Sequence, residues 1–227
     1  MNKRIGILGG ISPASTSAYY DRMVKGYHER LRDYHYPEIV IFSLDFQRFT
    51  DLEDSGNRDG YVEEITSGIA ALERAGVEFI LMAANSPHAV FDEIEARAAV
   101  PMLSIVQVTA DAAVESGLGS RLLLGIKFTM QSTFYQDACA LRGVDVTVPT
   151  DDEQDRINTI IFDELARGIT SEESRHELLG IIDDYDVEGV ILGCTELPLL
   201  LDQRHTSVPL LDTMELHVQA ALDTALG

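Results

Sequence analysis

Short apolar runs that end in small or polar residues alternate, along the whole chain, with longer segments whose apolar positions recur at helical spacing. Residues 4–10 (RIGILGG) predict a first strand running into a tight turn. Residues 12–31 predict a helix, with Ser12 as its cap and Pro13 at its first position, where a missing N–H removes no intrahelical bond. Residues 38–46 (EIVIFSLDF) predict a second strand, and residues 60–77 an amphipathic helix closed by Gly76. A strand over 79–85 (FILMAAN), a helix over 89–98 and a short strand over 100–105 follow. A βαβα rhythm of this kind predicts an α/β fold with a mostly parallel sheet covered by helices.

The second half repeats the pattern. RLLLGIKFTMQSTFYQDACALRG follows the outline of RIGILGGISPASTSAYYDRMVKG: an arginine, an apolar strand, a glycine, a hydroxyl-rich turn and a helix. VEGVILGCTELPLLL echoes VEFILMAANSPHAVF, and VPLLDTMELHVQAAL echoes VPMLSIVQVTADAAV. The offsets are 117 residues (Arg4 to Arg121), 110 (Ala84 to Cys194) and 108 (Pro101 to Pro209). Three pairs in the same order predict two similar, pseudo-symmetric α/β lobes. The expected division is 1–106, joined by the final helix 213–227, and 107–212. Ligands of open α/β sheets sit beyond the carboxyl ends of strands. In this chain those ends are residues 9–12 and 84–88 in the first lobe, and 127–129 and 194–196 in the second. Lobes facing each other would place Ala84 and Cys194 on opposite walls of one cleft.

Charge narrows the partners. The 227 residues carry a formal net charge of −21, with 17 Lys+Arg against 38 Asp+Glu. That balance excludes a nucleic-acid or anionic-membrane partner, each of which needs clustered cations. An acidic ligand needs local positive charge against the overall field. No apolar run reaches the roughly 20 residues that span a bilayer, and the glycine-rich start does not read as a signal peptide. The expectation is a cytoplasmic protein. Two cysteines make neither a disulfide framework nor a metal cluster, and the histidines show no metal-ligand spacing. GILGG is not a dinucleotide fingerprint either.

The candidate chemistry gathers at the strand ends. Cys194, between Gly193 and the pair Thr195 and Glu196, is a thiol at a strand-to-helix turn. Backbone N–H groups there are expected to lower its pKa and fit it for acid, base or nucleophilic work. Cys139 lies inside a helical segment and reads as an inert core thiol. His88 reads either as an acid or as a locally bonded histidine. Arg48 is a candidate clamp for a substrate carboxylate or an exposed arginine, and Arg167 a ligand or a helix C-terminal charge.

The quoted motifs resemble those of the aspartate/glutamate racemase family over essentially the whole chain. Residues 9–13 (GGISP) resemble the opening turn of that family, residues 193–197 (GCTEL) its second active-site motif, and residues 152–154 (DEQ) with the helix expected over 157–168 its intervening segment. The resemblance implies two pseudo-symmetric α/β lobes with the site between them, a homodimer, and cofactor-independent isomerisation at the Cα of an acidic amino acid, with no metal. It assigns Cys194 as one acid/base and places Asn85, Ser86, Thr129 and Thr195 on the substrate carboxylate, with Ser12 and Glu196 also lining the site. The first motif departs from the family: Asn85, Ser86 and His88 fit, but the cysteine position is Ala84, or Ala83 on a longer spacing. A single thiol leaves two alternatives open, a one-face isomerase or decarboxylase, and a non-catalytic binder of acidic amino acids.

Overall fold

The computed structural model of the chain describes residues 2–33 and 35–227 and contains two four-stranded parallel sheets. The first unit runs to Ile105 and includes His217–Gly227; the second is Val106–Leu216.

The first sheet is built from β1 (Ile5–Gly9), β2 (Ile39–Ser43), β3 (Phe79–Met82) and β4 (Met102–Leu103), in the order β2-β1-β3-β4. β1 and β3 are central and fully buried. That burial is why they read as unbroken apolar runs rather than alternating ones. The helices are α1 (Pro13–Leu31), α2 (Phe46–Asp54), α3 (Arg58–Arg74) and the short α4 (Phe91–Glu95). Ser12 caps α1, its side chain accepting from Ser15 N at 3.2 Å, with Pro13 in the first turn. Leu8, Phe49, Tyr61, Ile65, Ile69, Ile80 and Met82 form the core between the sheet and its helices.

The second unit repeats the topology. β5 (Ser120–Leu124), β6 (Asp145–Thr147), β7 (Val190–Leu192) and β8 (Leu210–Asp212) take the order β6-β5-β7-β8. The helices α5 (Ile105–Glu115), α6 (Lys127–Gln131), α7 (Phe134–Ala140), α8 (Asp151–Thr159) and α9 (Glu172–Asp183) precede α10 (Thr213–Leu226). Cys139 lies in α7, fully buried. Burial raises its thiol pKa, while Arg142 and Arg121 pull the other way, so it remains a packed thiol.

Three expectations about elements change. The helix expected over 89–98 is a 3₁₀ turn, Ser86–Val90, followed by α4. The first turn closes with a bond of 3₁₀ type, His88 N donating to Asn85 O at 3.0 Å, and the His88 ring engages the same carbonyl. The helix expected over 157–168 begins earlier as α8 and passes through a π turn at Ile160–Glu164 and a 3₁₀ turn at Leu165–Arg167. Gly168, at φ 74°, then stops it. Helix α2 lies between the second strand and α3, where no element was predicted; Asp45 starts it by accepting from Arg48 N at 2.9 Å.

Candidate active site

In the first unit two strand ends are tied together by hydroxyls. Thr16 Oγ1 accepts from Gly10 N at 2.8 Å and donates to Ser12 O at 2.8 Å. Ser15 Oγ donates to Ala83 O at 2.8 Å, joining the first turn of α1 to the end of β3. Gly10 has φ 86°, and a Cβ there would lie 2.2 Å from Leu44 O, so no other residue fits this turn. The expected residues 9–12 and 84–88 therefore lie side by side at the carboxyl ends of the central strands β1 and β3. Ala83, Ala84, Asn85, Ser86 and His88 are all buried. The Ala84 methyl belongs to the core cluster that contains Tyr61, Val62 and Val90.

His88 is held from both sides of its ring. Ile105 N donates to Nε2 at 3.3 Å, so the other nitrogen, Nδ1, carries the proton and faces Asn85 O at 3.2 Å. Burial pushes its pKa down to about 3, and the ring stacks on Phe91 at 5.2 Å. A neutral imidazole with both nitrogens on main-chain groups favours the locally bonded reading over the acid. His217, on α10, has the complementary arrangement. Its Nε2 donates to Leu103 O and its Nδ1 faces the Tyr19 hydroxyl, each at 3.0 Å. Burial lowers its pKa to about 4.

In the second unit the Gly193–Cys194 turn packs against the end of β5. Gly193 N donates to Leu124 O at 2.6 Å. A Cβ on Gly193 would meet Leu123 Cδ1 at 2.7 Å and Leu124 O at 3.0 Å, so glycine is required ahead of the thiol. Thr129 sits beside this turn, its methyl 3.3 Å from where a Cβ on Gly125 would stand. Its Oγ1 is buried with no hydrogen-bond partner among the described residues. An orphaned buried hydroxyl in α6, the short helix that follows β5, suits a ligand-binding position.

Cys194 is 8% exposed, and its Sγ–H donates to Glu196 Oε2 at 3.1 Å. Thr195 Oγ1 donates to the same oxygen at 2.8 Å. The thiol pKa is raised well above its ordinary value, first by burial and then by the Glu196 charge. This reverses the lowered pKa expected for a strand-to-helix turn. Main-chain N–H groups of Glu196 and Leu197 do favour the thiolate, but less than burial and the adjacent carboxylate oppose it.

The two arginines are each paired with an acid of their own unit. The Arg48 side chain is 69% exposed and bonds Glu64 at 2.7 Å; that of Arg167 is 67% exposed and meets Asp163 at 3.1 Å. Two functional-site neighbours carried no sequence motif: Glu53 of α2 and Tyr61 of α3, both hydrogen-bonded to Ser86. Among the described residues no group of three or more His, Cys, Asp or Glu could hold a metal ion, and no helix is long and apolar enough to cross a membrane.

The model of the family described as Asp/Glu/Hydantoin racemase matches residues 8–221. The broad specificity amino-acid racemase RacX of Bacillus subtilis is 27% identical, covering 98% of this chain and 98% of its own length. Among solved structures, an aspartate racemase homologue from Pyrococcus horikoshii is 38% identical with a TM-score of 0.88. A Yersinia pestis protein assigned as an Asp/Glu racemase is 34% identical with a TM-score of 0.91. Both alignments cover 99% of this chain and 100% of the other.

Proposed function

This chain belongs to the Asp/Glu/Hydantoin racemase family, and from that premise we propose that it is an isomerase working at the Cα of an amino acid, aspartate or glutamate first, with Cys194 as its acid/base and no cofactor. The observation that carries the proposal is the Cys194 thiol, seated at the end of β7 with its proton directed at Glu196. In the proposed reaction the Cα–H bond breaks and its electron pair moves into the substrate carboxylate. The proton joins a Cys194 thiolate. Reprotonation on the opposite face completes inversion; reprotonation by the same thiol returns the starting enantiomer.

The resting thiol is protonated because its pKa is raised. In the proposed complex the α-ammonium of an amino acid brings a positive charge that favours the thiolate, against Glu196, whose charge and hydrogen bond hold the proton on sulfur in the free chain. Thr129, with its buried unpartnered hydroxyl, is suited to donate to the carboxylate as negative charge accumulates there. Thr195 has its hydroxyl on Glu196 and steadies the base. Support for the acidic substrate comes from the aspartate racemase homologue; RacX argues for a wider range.

Ala84 favours a second reading, one-face exchange. A methyl group neither takes nor gives a proton, and His88 has both nitrogens engaged. The discriminating experiment follows the Cα proton and chirality separately. The proposal expects exchange with solvent deuterium to run ahead of inversion. Equal rates would mean that a second acid/base is present; binding without exchange would make the chain a binder.

A further inference from the structure

Strand β2 ends the first sheet, so among the described residues one of its edges has no strand beside it. Glu38 O accepts from Ile5 N at 2.8 Å, and Leu44 N donates to Gly9 O at 2.9 Å. Between these bonds, the alternation of a parallel ladder turns the main-chain groups of Val40 and Phe42 toward β1. Those of Ile39, Ile41 and Ser43 therefore point to the open edge. Ile41 is 40% exposed and Phe42 38%, and Ser43 is exposed as well.

This edge lacks the devices that keep such strands apart. Open edges are blunted by charged side chains, prolines or bulges, yet residues 39–43 read IVIFS and pair with β1 in unbroken register. The strand is also its own complement. A twofold axis pairs two copies of one strand antiparallel. Centred on Ile41, it sets Ile41 against Ile41, Val40 against Phe42 and Ile39 against Ser43. Glu38 then falls opposite Leu44, and Asp45 opposite Pro37, so no two carboxylates face each other. That register suits a chain of net charge −21, whose copies repel at longer range. A cationic partner would need carboxylates along the edge, and residues 39–43 offer none.

We infer that β2 is the docking edge for a second copy of this chain, the two β2 strands pairing antiparallel about Ile41 and continuing the first sheet across a twofold axis. Ile41 exchanges both main-chain bonds with Ile41 of the second copy. Ile39 and Ser43 exchange theirs with each other across the axis. These are the hydrogen-bonded pairs of an antiparallel ladder, and they use the residues whose groups point outward. Pairing also removes Ile41 and Phe42 from water, on opposite faces of the enlarged sheet. The inference stands apart from the proposed reaction.

The test combines sedimentation equilibrium of the full chain with amide hydrogen exchange read residue by residue by NMR. The expected mass is twice 25.0 kDa. In that dimer the amides of Ile39, Ile41 and Ser43 should exchange slowly, beside those of Val40 and Phe42, which β1 already protects. Ile41→Lys sets two like charges directly opposite each other and removes an apolar pair, at a position exposed enough to tolerate it. It should weaken dimerisation about tenfold or more, and free the amides of residues 39 and 43 while Val40 and Phe42 stay protected. If that variant does not fold, Ile41→Pro, which deletes a donor that the β1 ladder does not use, should have the same effect; the exchange pattern of the unaltered chain needs no variant. A wild-type chain that stays monomeric overturns the inference. So does a dimer in which Ile39, Ile41 and Ser43 exchange freely, or one whose affinity Ile41→Lys leaves unchanged.

Discussion

At the scale of single residues the account turns on one thiol present and one absent. Replacing Cys194 with Ala should abolish both exchange and inversion, since no other group at that strand end has a suitable proton. Replacing Ala84 with Cys should raise racemisation by roughly 10²–10⁴, the range for gaining one acid/base, while exchange rises far less. Chiral chromatography beside deuterium incorporation measures both; inversion that is unchanged in the Ala84→Cys protein would show that another residue already does this work. Glu196 makes a second claim testable. Its charge and its hydrogen bond keep the proton on sulfur, so activity should climb toward alkaline pH as thiolate forms. Glu196→Gln should move that rise to lower pH. An upward shift of the pH profile would contradict the assignment.

At the scale of elements, the strands and the caps were legible because each rests on local chemistry: unbroken apolar runs for β1 and β3, Ser12 and Pro13 for α1, Gly76 for the end of α3. The repeated strand order, legible as three ordered sequence pairs, follows from the same patterning. Helix α2 was not legible, since its nine residues hold only one buried side chain, Phe49. Glu53 was invisible for the same reason: its partners Tyr61 and Ser86 are 8 and 33 residues away in sequence, and tertiary packing alone brings them together. The direction of the Cys194 pKa was misjudged because sequence shows the nearby main-chain donors but not the burial that outweighs them. His88 and His217 join the 3₁₀ turn, the start of α5, α10 and α1 through uncharged rings. Their folded pKa values, about 3 and about 4, lie below the ordinary 6.5. The unfolded chain therefore binds more protons between those limits, and stability is complete above about pH 6.5 and falls as pH drops toward 4. Each histidine should contribute a slope of up to about 1.4 kcal/mol per pH unit. Urea unfolding across pH 4–7 should show the fall, and His217→Gln should reduce its slope by about half; an unchanged slope would remove His217 from this explanation.

At the scale of the whole molecule the net charge of −21 acts on any acidic substrate. Arg48 and Arg167 are already neutralised by Glu64 and Asp163, so they supply little attraction at long range. Raising salt shortens the Debye length from roughly 30 Å at 0.01 M to roughly 10 Å at 0.1 M. KM for aspartate should then fall several-fold, with KM for a neutral amino acid nearly constant. A KM that rises with salt would mean that local cations dominate the approach.

Incubation of the purified chain with each enantiomer of aspartate and glutamate in D₂O, with mass and chirality read on the same samples, addresses the central claim most directly. The account predicts deuterium at Cα of at least one enantiomer, entering faster than the opposite enantiomer appears, and neither event in the Cys194→Ala protein. Undiminished exchange without Cys194, or no exchange with any of the four substrates, would contradict it.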